Sequence, residues 1–160
     1  MGERIRTILL DHGAAGMGAW TEVFLYMAAR AQLVEEVIRP ALDAGRAVVS
    51  DRYLLSSIVY QGIASGIGAA IVEEMGNTAT RGLRPDLTLV IDLEVEDAFR
   101  RRSSGRDRME SKGQAFHELV RQGYIQAAAV PVRRIRMISG TGTPDEVEAR
   151  VRPEIDRVLL

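Results

Sequence analysis

The sequence predicts an α/β fold, a parallel sheet flanked by helices, on two observations. Three short apolar runs, Ala47–Val49, Leu87–Leu93 and Arg134–Ile138, each lead into polar residues, and segments with helical spacing of apolar residues separate them. Strands that alternate with helices fold as parallel α/β layers, and ligands gather beyond the carboxyl ends of such strands.

Each element follows from its pattern. Ile5, Ile8 and Leu9 sit at helical spacing within Glu3–Leu10, and the glycines at 13 and 16 end that segment. From Trp20 to Leu42 the apolar positions, among them Val23, Tyr26, Val34, Val37 and Ile38, recur at three- and four-residue steps, with Pro40 expected to kink or restart the helix. Asp43-Ala44-Gly45 reads as its carboxy-terminal cap. Ala47–Val49 then reads as a buried strand that delivers Ser50-Asp51-Arg52-Tyr53 at its carboxyl end. The second strand ends in Asp92 and the third in Ser139-Gly140-Thr141-Gly142. Helical patterns cover Leu54–Tyr60, Ala69–Thr80, Val95–Arg102, Ala115–Ala129 and Pro144–Leu159.

Length and composition limit what this fold can do. With 160 residues, 46% of them hydrophobic and 27% charged, the chain reads as a single domain over residues 1–160, without repeats, low-complexity tracts or linkers. The absence of cysteine excludes disulfides, thiolate catalysis and sulfur-ligated zinc. His12 and His117 lack ligand-like spacing, and His12 reads as a surface residue. A net charge of −1 argues against a general nucleic-acid binder. The charged start and the lack of a long apolar stretch argue against export or a membrane span, which leaves a cytoplasmic protein as the expectation. Lys112 is the only lysine among 21 basic residues. Arginine forks suit phosphates, although a coding bias would produce the same excess.

Three clusters carry polar chemistry. Asp51-Arg52-Tyr53, Ser56-Ser57 and Tyr60-Gln61-Gly62 place a carboxylate, a guanidinium, hydroxyls and an amide near one strand end, a set that suits a phosphorylated ligand. An Asp–Arg pair closing a loop, with Tyr53 and Tyr60 as packing residues, is the alternative. The run Arg100-Arg101-Arg102-Ser103-Ser104-Gly105-Arg106-Asp107-Arg108 reads either as a hinged cover for a polyphosphate or as a solvated helix end. Tyr26 and Arg30 share a helix face, with Gln32 close by; they can hold a base, or Tyr26 can be core.

In order and spacing, Phe24–Gln32, Val34–Leu42, Asp51-Arg52-Tyr53, Ser56-Ser57 and Tyr60-Gln61-Gly62 resemble the bacterial thymidylate kinases. Pro85–Thr88, Asp107–Glu110, Phe116 and Val120–Tyr124 extend the resemblance to nearly the whole chain. It implies a P-loop-kinase-like parallel sheet and transfer of the γ-phosphoryl group of ATP to dTMP, giving dTDP, with Mg2+ bridging the nucleotide phosphates. By position, Tyr26 resembles the residue stacked on thymine and Arg30 the donor to the base. Arg52 resembles the arginine that grips the acceptor phosphate, and Asp51 its metal- or water-orienting neighbour. Ser57, Tyr60 and Gln61 match the lining around the deoxynucleoside. Arg102 and Arg106 are the lid arginines expected to reach the transferred phosphate, and Ser139, Gly140, Thr141 and Gly142 the loop against adenine. The resemblance also implies a homodimer.

The sequence departs from that family in two places. No G-x-x-x-x-G-K-[ST] motif occurs in it. The expectation is therefore a chain truncated at its amino terminus, lacking the first strand, the phosphate-binding loop and the second strand, and inactive by itself. Ala29 stands where the family carries Asp beside the base-contacting arginine. Two other readings remain at this stage: a non-catalytic deoxynucleotide-binding module, and a kinase fragment acting on another deoxynucleoside or its monophosphate.

Overall fold

The structure is a computed structural model that describes residues 1–14, 16–101, 108–109, 111–131 and 134–159. The chain divides into two compact units. One comprises Met1–Arg84 with the described residues of Gly105–Lys112, and the other Pro85–Arg101 with the described residues from Gly113 onward.

In the first unit, α1 (Gly2–Leu10) packs on α2 (Ala19–Leu33). The predicted long helix is continuous but changes pitch: α2 runs into a π-helical segment, Val34–Ile38, and then α3 (Arg39–Asp43). The wide turn falls just before Pro40, which has no N–H to return to the Glu36 carbonyl, so the chain relaxes there instead of breaking. The predicted cap at Gly45 forms as a Schellman motif. Gly45 has φ +70°, its N–H donates to the Leu42 carbonyl at 2.9 Å, and the Arg46 N–H donates to the Ala41 carbonyl at 3.0 Å.

The predicted strand at Ala47–Val49 does not form. Residues 46–50 have no regular structure, Val49 is 97% exposed, and residues 47–49 make no backbone hydrogen bonds among the described residues. An apolar run becomes a strand only when a neighbour completes its ladder, and β propensity alone does not supply one. The next helix begins on time as α4 (Leu54–Ser57) and widens into a second π segment, Ile58–Ala64, before α5 (Ala69–Thr80). Val23, Met27, Leu54, Ile58 and Val72 form the core of this unit. The α5 helix comes close because position 76 has no side chain: a Cβ there would lie 1.9 Å from Leu54 Cδ1.

In the second unit, β1 (Thr88–Asp92) and β2 (Ile135–Ser139) pair in parallel, with Thr88 opposite Ile135 and Asp92 opposite Ser139. Both strands were expected, and β2 starts one residue late because Arg134 takes a left-handed φ of +49°. The helices are α6 (Val95–Arg101), α7 (Gln114–Ala128) and α8 (Pro144–Leu159); α7 and α8 pack on β2. Arg121 on α7 forks onto Asp92 at the end of β1, with Nε to Oδ1 at 2.8 Å and NH2 to Oδ2 at 3.0 Å. His117 is buried with edge-on contacts to Phe99 and Phe116. Helix α8 starts in a capping box with Pro144 at its first position. The Thr143 N–H donates to Glu146 Oε2 at 2.7 Å, and the Glu146 N–H donates to Thr143 Oγ1 at 3.3 Å.

Two outcomes follow from this packing. Gly76→Ala gains up to about 1 kcal/mol of helix propensity but overpacks Leu54 at a cost of about 1–3 kcal/mol. The urea midpoint should fall, and a rise would show that the close contact relaxes freely. The backbone N–H and hydroxyl of Thr143 hold the Glu146 carboxyl below its ordinary pKa, so its capping contribution is present above the ordinary value and is lost as pH falls through the lowered one. Glu146→Ala should therefore melt below the native chain at neutral pH, with the gap closing as pH drops below about 4. A gap that persists once the carboxyl is protonated would show that the contribution is not the carboxylate's.

Candidate functional site

Helix α2 supplies the floor of an open cleft of 300 Å³ in the first unit. Tyr26 and Arg30 line it one turn apart, and the bend at 51–52 together with α4 and its π segment brings Asp51, Arg52, Ser57, Tyr60 and Gln61 to the same cleft. All of the deoxynucleoside and acceptor-phosphate residues predicted from the sequence therefore meet in one place. Gln32 lines it too.

Arg30 is buried and held from three sides. Its NH2 donates to the Tyr53 carbonyl and to Ser57 Oγ, each at 3.0 Å, and its NH1 faces Met27 Sδ at 3.5 Å. The guanidinium lies over the Tyr53 ring at 5.6 Å. Burial pushes its pKa down to about 10, partly opposed by Tyr53 and Tyr26, so it stays cationic at neutral pH. Burial likewise raises the Tyr53 phenol, against the pull of Arg30. Ala29 offers no carboxylate, and a carbonyl and a hydroxyl orient Arg30 in its stead. Ser57, expected to line the nucleoside, thus also positions the arginine.

Arg52 is exposed at the rim, with its guanidinium over the Tyr60 ring at 5.2 Å. Its φ of +65° is uncommon for a residue with a side chain, and Ser50 Oγ donates to its carbonyl at 2.8 Å, steadying the bend. Strained backbone of this kind concentrates at binding sites. Tyr60 and Gln61 sit in the π segment, where the extra residue in the turn alters the direction of successive side chains. Asp51 is an exposed carboxylate on the same rim, and the exposed Glu3 and Glu36 line the cleft as well. No group of three metal-ligating side chains occurs among the described residues. One carboxylate nevertheless fits a Mg2+–nucleotide site, which takes one or two carboxylates and completes its shell with phosphates and water.

Two residues of this region take roles that the sequence did not indicate. Glu22 is 2% exposed on α2, one turn before Tyr26; its Oε1 accepts from Gln61 Nε2 at 2.7 Å and its Oε2 from Arg108 NH2 at 2.5 Å. Arg108, read as part of a cover or a solvated run, is instead buried, and its Nε donates to the Leu9 carbonyl at 2.9 Å. The signal for Glu22 was a charge beside Val23 at the core-facing edge of an amphipathic helix. Arg102 and Arg106, the lid candidates, lie outside the described residues.

The second unit holds the loop matched to adenine. Ser139 Oγ and Thr141 Oγ1 share a hydrogen bond of 2.8 Å, Arg101 NH1 donates to the Gly140 carbonyl at 2.9 Å, and Arg150 donates to that of Thr141. A Cβ at position 140 would meet Ile91 Cγ2 at 2.8 Å, so only glycine allows the loop to lie this close to β1.

Known proteins match nearly the whole chain in sequence. The family profile described as thymidylate kinase matches residues 1–151. The thymidylate kinase of Symbiobacterium thermophilum is 40% identical over 158 residues, covering 98% of this chain and 74% of that protein. That of Oleidesulfovibrio alaskensis is 43% identical over 168 residues, covering 99% of this chain and 79% of that protein. The thymidylate kinase of Rhizorhabdus wittichii is 43% identical over 153 residues, with 93% and 74% covered. With its ordered site residues gathered in one cleft and nearly its full length matched, the chain belongs to the thymidylate kinase family.

Proposed function

We propose that the cleft is the dTMP site of a nucleoside monophosphate kinase, in which an oxygen of the dTMP phosphate attacks the γ-phosphorus of ATP and ADP leaves, giving dTDP. The observation that carries this reading is Arg30, a buried cation fixed by Ser57 and the Tyr53 carbonyl beside the half-buried Tyr26. Tyr26 offers a ring face to the base and Arg30 a donor to a base carbonyl. Arg52, at the rim, binds the acceptor phosphate, and Asp51 orients the attacking oxygen or holds the metal. Asp51 is the residue that would hold Mg2+ brought in with ATP, and the ion would supply neutralisation of phosphate charge. The loop Ser139–Gly142 contacts the adenine. The reading includes a homodimer, for which the exposed rings of Trp20 and Phe24 on α2 offer an apolar patch. It also includes a cytoplasmic location, and no described helix is long and apolar enough to cross a membrane.

The same reading limits the chain's activity. Phosphoryl transfer depends on positioning and electrostatics, and the 160 residues contain no glycine-rich loop with a lysine to cradle ATP phosphates. We therefore expect residues 1–160 to bind dTMP and to turn it over far more slowly than the roughly 1–100 per second of ordinary kinases. Calorimetric titration with dTMP, with and without Arg30→Met, tests the first part; the variant should bind roughly tenfold to a hundredfold more weakly. Equal binding by the two proteins would move the base elsewhere. A coupled ADP-release assay tests the second part, and ordinary kinase turnover would refute it.

A further inference from the structure

We infer that Glu22, clamped by Arg108, fixes which end of the Gln61 amide faces the cleft, and so selects a pyrimidine that carries a ring N–H. Glu22 and Arg108 are then positioning residues for base choice. The inference rests on the reading of the cleft as a dTMP site and names how that site discriminates.

The argument is one of donors and acceptors. A carboxylate only accepts hydrogen bonds, and a side-chain amide has one donating and one accepting arm. Gln61 must therefore turn its NH2 to Glu22 Oε1, 2.7 Å away, which sends its Oε1 along the opposite arm. Gln61 is 1% exposed yet lines the cleft. The arm that reaches a ligand is thus the acceptor. Thymine and uracil carry an N3–H donor between two carbonyls, whereas N3 of cytosine is itself an acceptor. A ring N–H pairs with Gln61 Oε1 in this setting, and an acceptor there meets another acceptor.

The clamp keeps the amide from reversing. Glu22 Oε2 takes Arg108 NH2 at 2.5 Å, and Arg108 is in turn fixed by the Leu9 carbonyl at 2.9 Å and Met17 Sδ at 4.0 Å. Half-buried Lys112 adds a second positive charge acting on the same carboxylate. Both Glu22 and Arg108 are more than nine-tenths buried, so neither is a solvent-screened surface pair that exchanges partners freely.

The test is calorimetric titration of the full chain with dTMP, dUMP, dCMP and N3-methylated dTMP. The native chain should bind dTMP and dUMP, with dCMP and the N3-methyl analogue at least about tenfold weaker, because a site built to pair an N–H rejects ligands that lack it. Glu22→Gln, which can face Gln61 with either arm, should lower the dTMP-over-dCMP ratio by about tenfold or more. Arg108→Lys keeps a cation and should retain most of the ratio. A ratio unchanged in a folded Glu22→Gln protein that still binds dTMP overturns the inference and leaves the dTMP site standing. A native chain that binds no pyrimidine nucleotide removes both. If Glu22→Gln does not fold, the native chain decides: equal binding of dTMP and its N3-methyl analogue overturns the inference.

Discussion

Helix α2 places Glu22, Tyr26 and Arg30 on one face at four-residue steps and buries both charged members, and the first unit is arranged around that constraint. A charge removed from water is tolerated only where hydrogen-bond partners are already in place. Those partners come from every neighbouring segment. Ser57 and Gln61 arrive on α4 and its π continuation, the Tyr53 carbonyl through the bend at 51–52, and Arg108 from the far side of the sequence. The apolar side of the same helix, Val23 and Met27, packs on Leu54, Ile58 and Val72, which carries α5 in over Gly76. The core therefore fixes the register in which the polar side meets its partners.

Such an arrangement is a poor way to gain stability. The desolvation of a buried ion pair offsets most of its attraction, and an apolar replacement of similar shape often does as well. What the pair supplies is direction. Arg108 has two further acceptors and Glu22 has two donors, one to each oxygen, so neither group can rotate without leaving a buried atom unpaired. The two π segments serve the same end. Each shifts the helix phase by a residue, one just before Pro40 and one through Tyr60 and Gln61, the second where it sets the direction of side chains that line the cleft.

How legible this was in the sequence depended on the range of the interaction. Most helices came through within a residue or so because their signals are local: apolar spacing and the glycine at 45. Strands β1 and β2 were also legible, since each is followed by a polar stop and has a partner in the same unit. Ala47–Val49 reads the same way and fails, because pairing is a property of the neighbour and not of the run. That the residues singled out from Tyr26 to Gln61 line one cleft was legible through their order. Glu22 and Arg108 were not, since their pairing spans 86 positions and no local pattern announces it.

The replacement of an expected carboxylate by Ala29 changes what Arg30 can do for a ligand. An Asp neighbour would neutralise the guanidinium and take two of its donors. A carbonyl, a hydroxyl and a thioether orient it without cancelling its charge, so Arg30 remains a desolvated cation, which is why its pKa is depressed to about 10. An acceptor laid against such a cation gains a charge-assisted hydrogen bond, roughly twice as strong as a neutral one. It also offsets part of the desolvation that burial imposes on the guanidinium. A ligand that binds the folded unit and not the unfolded chain stabilises it with the logarithm of its concentration, so an acceptor held by Arg30 would link binding to folding through one arginine.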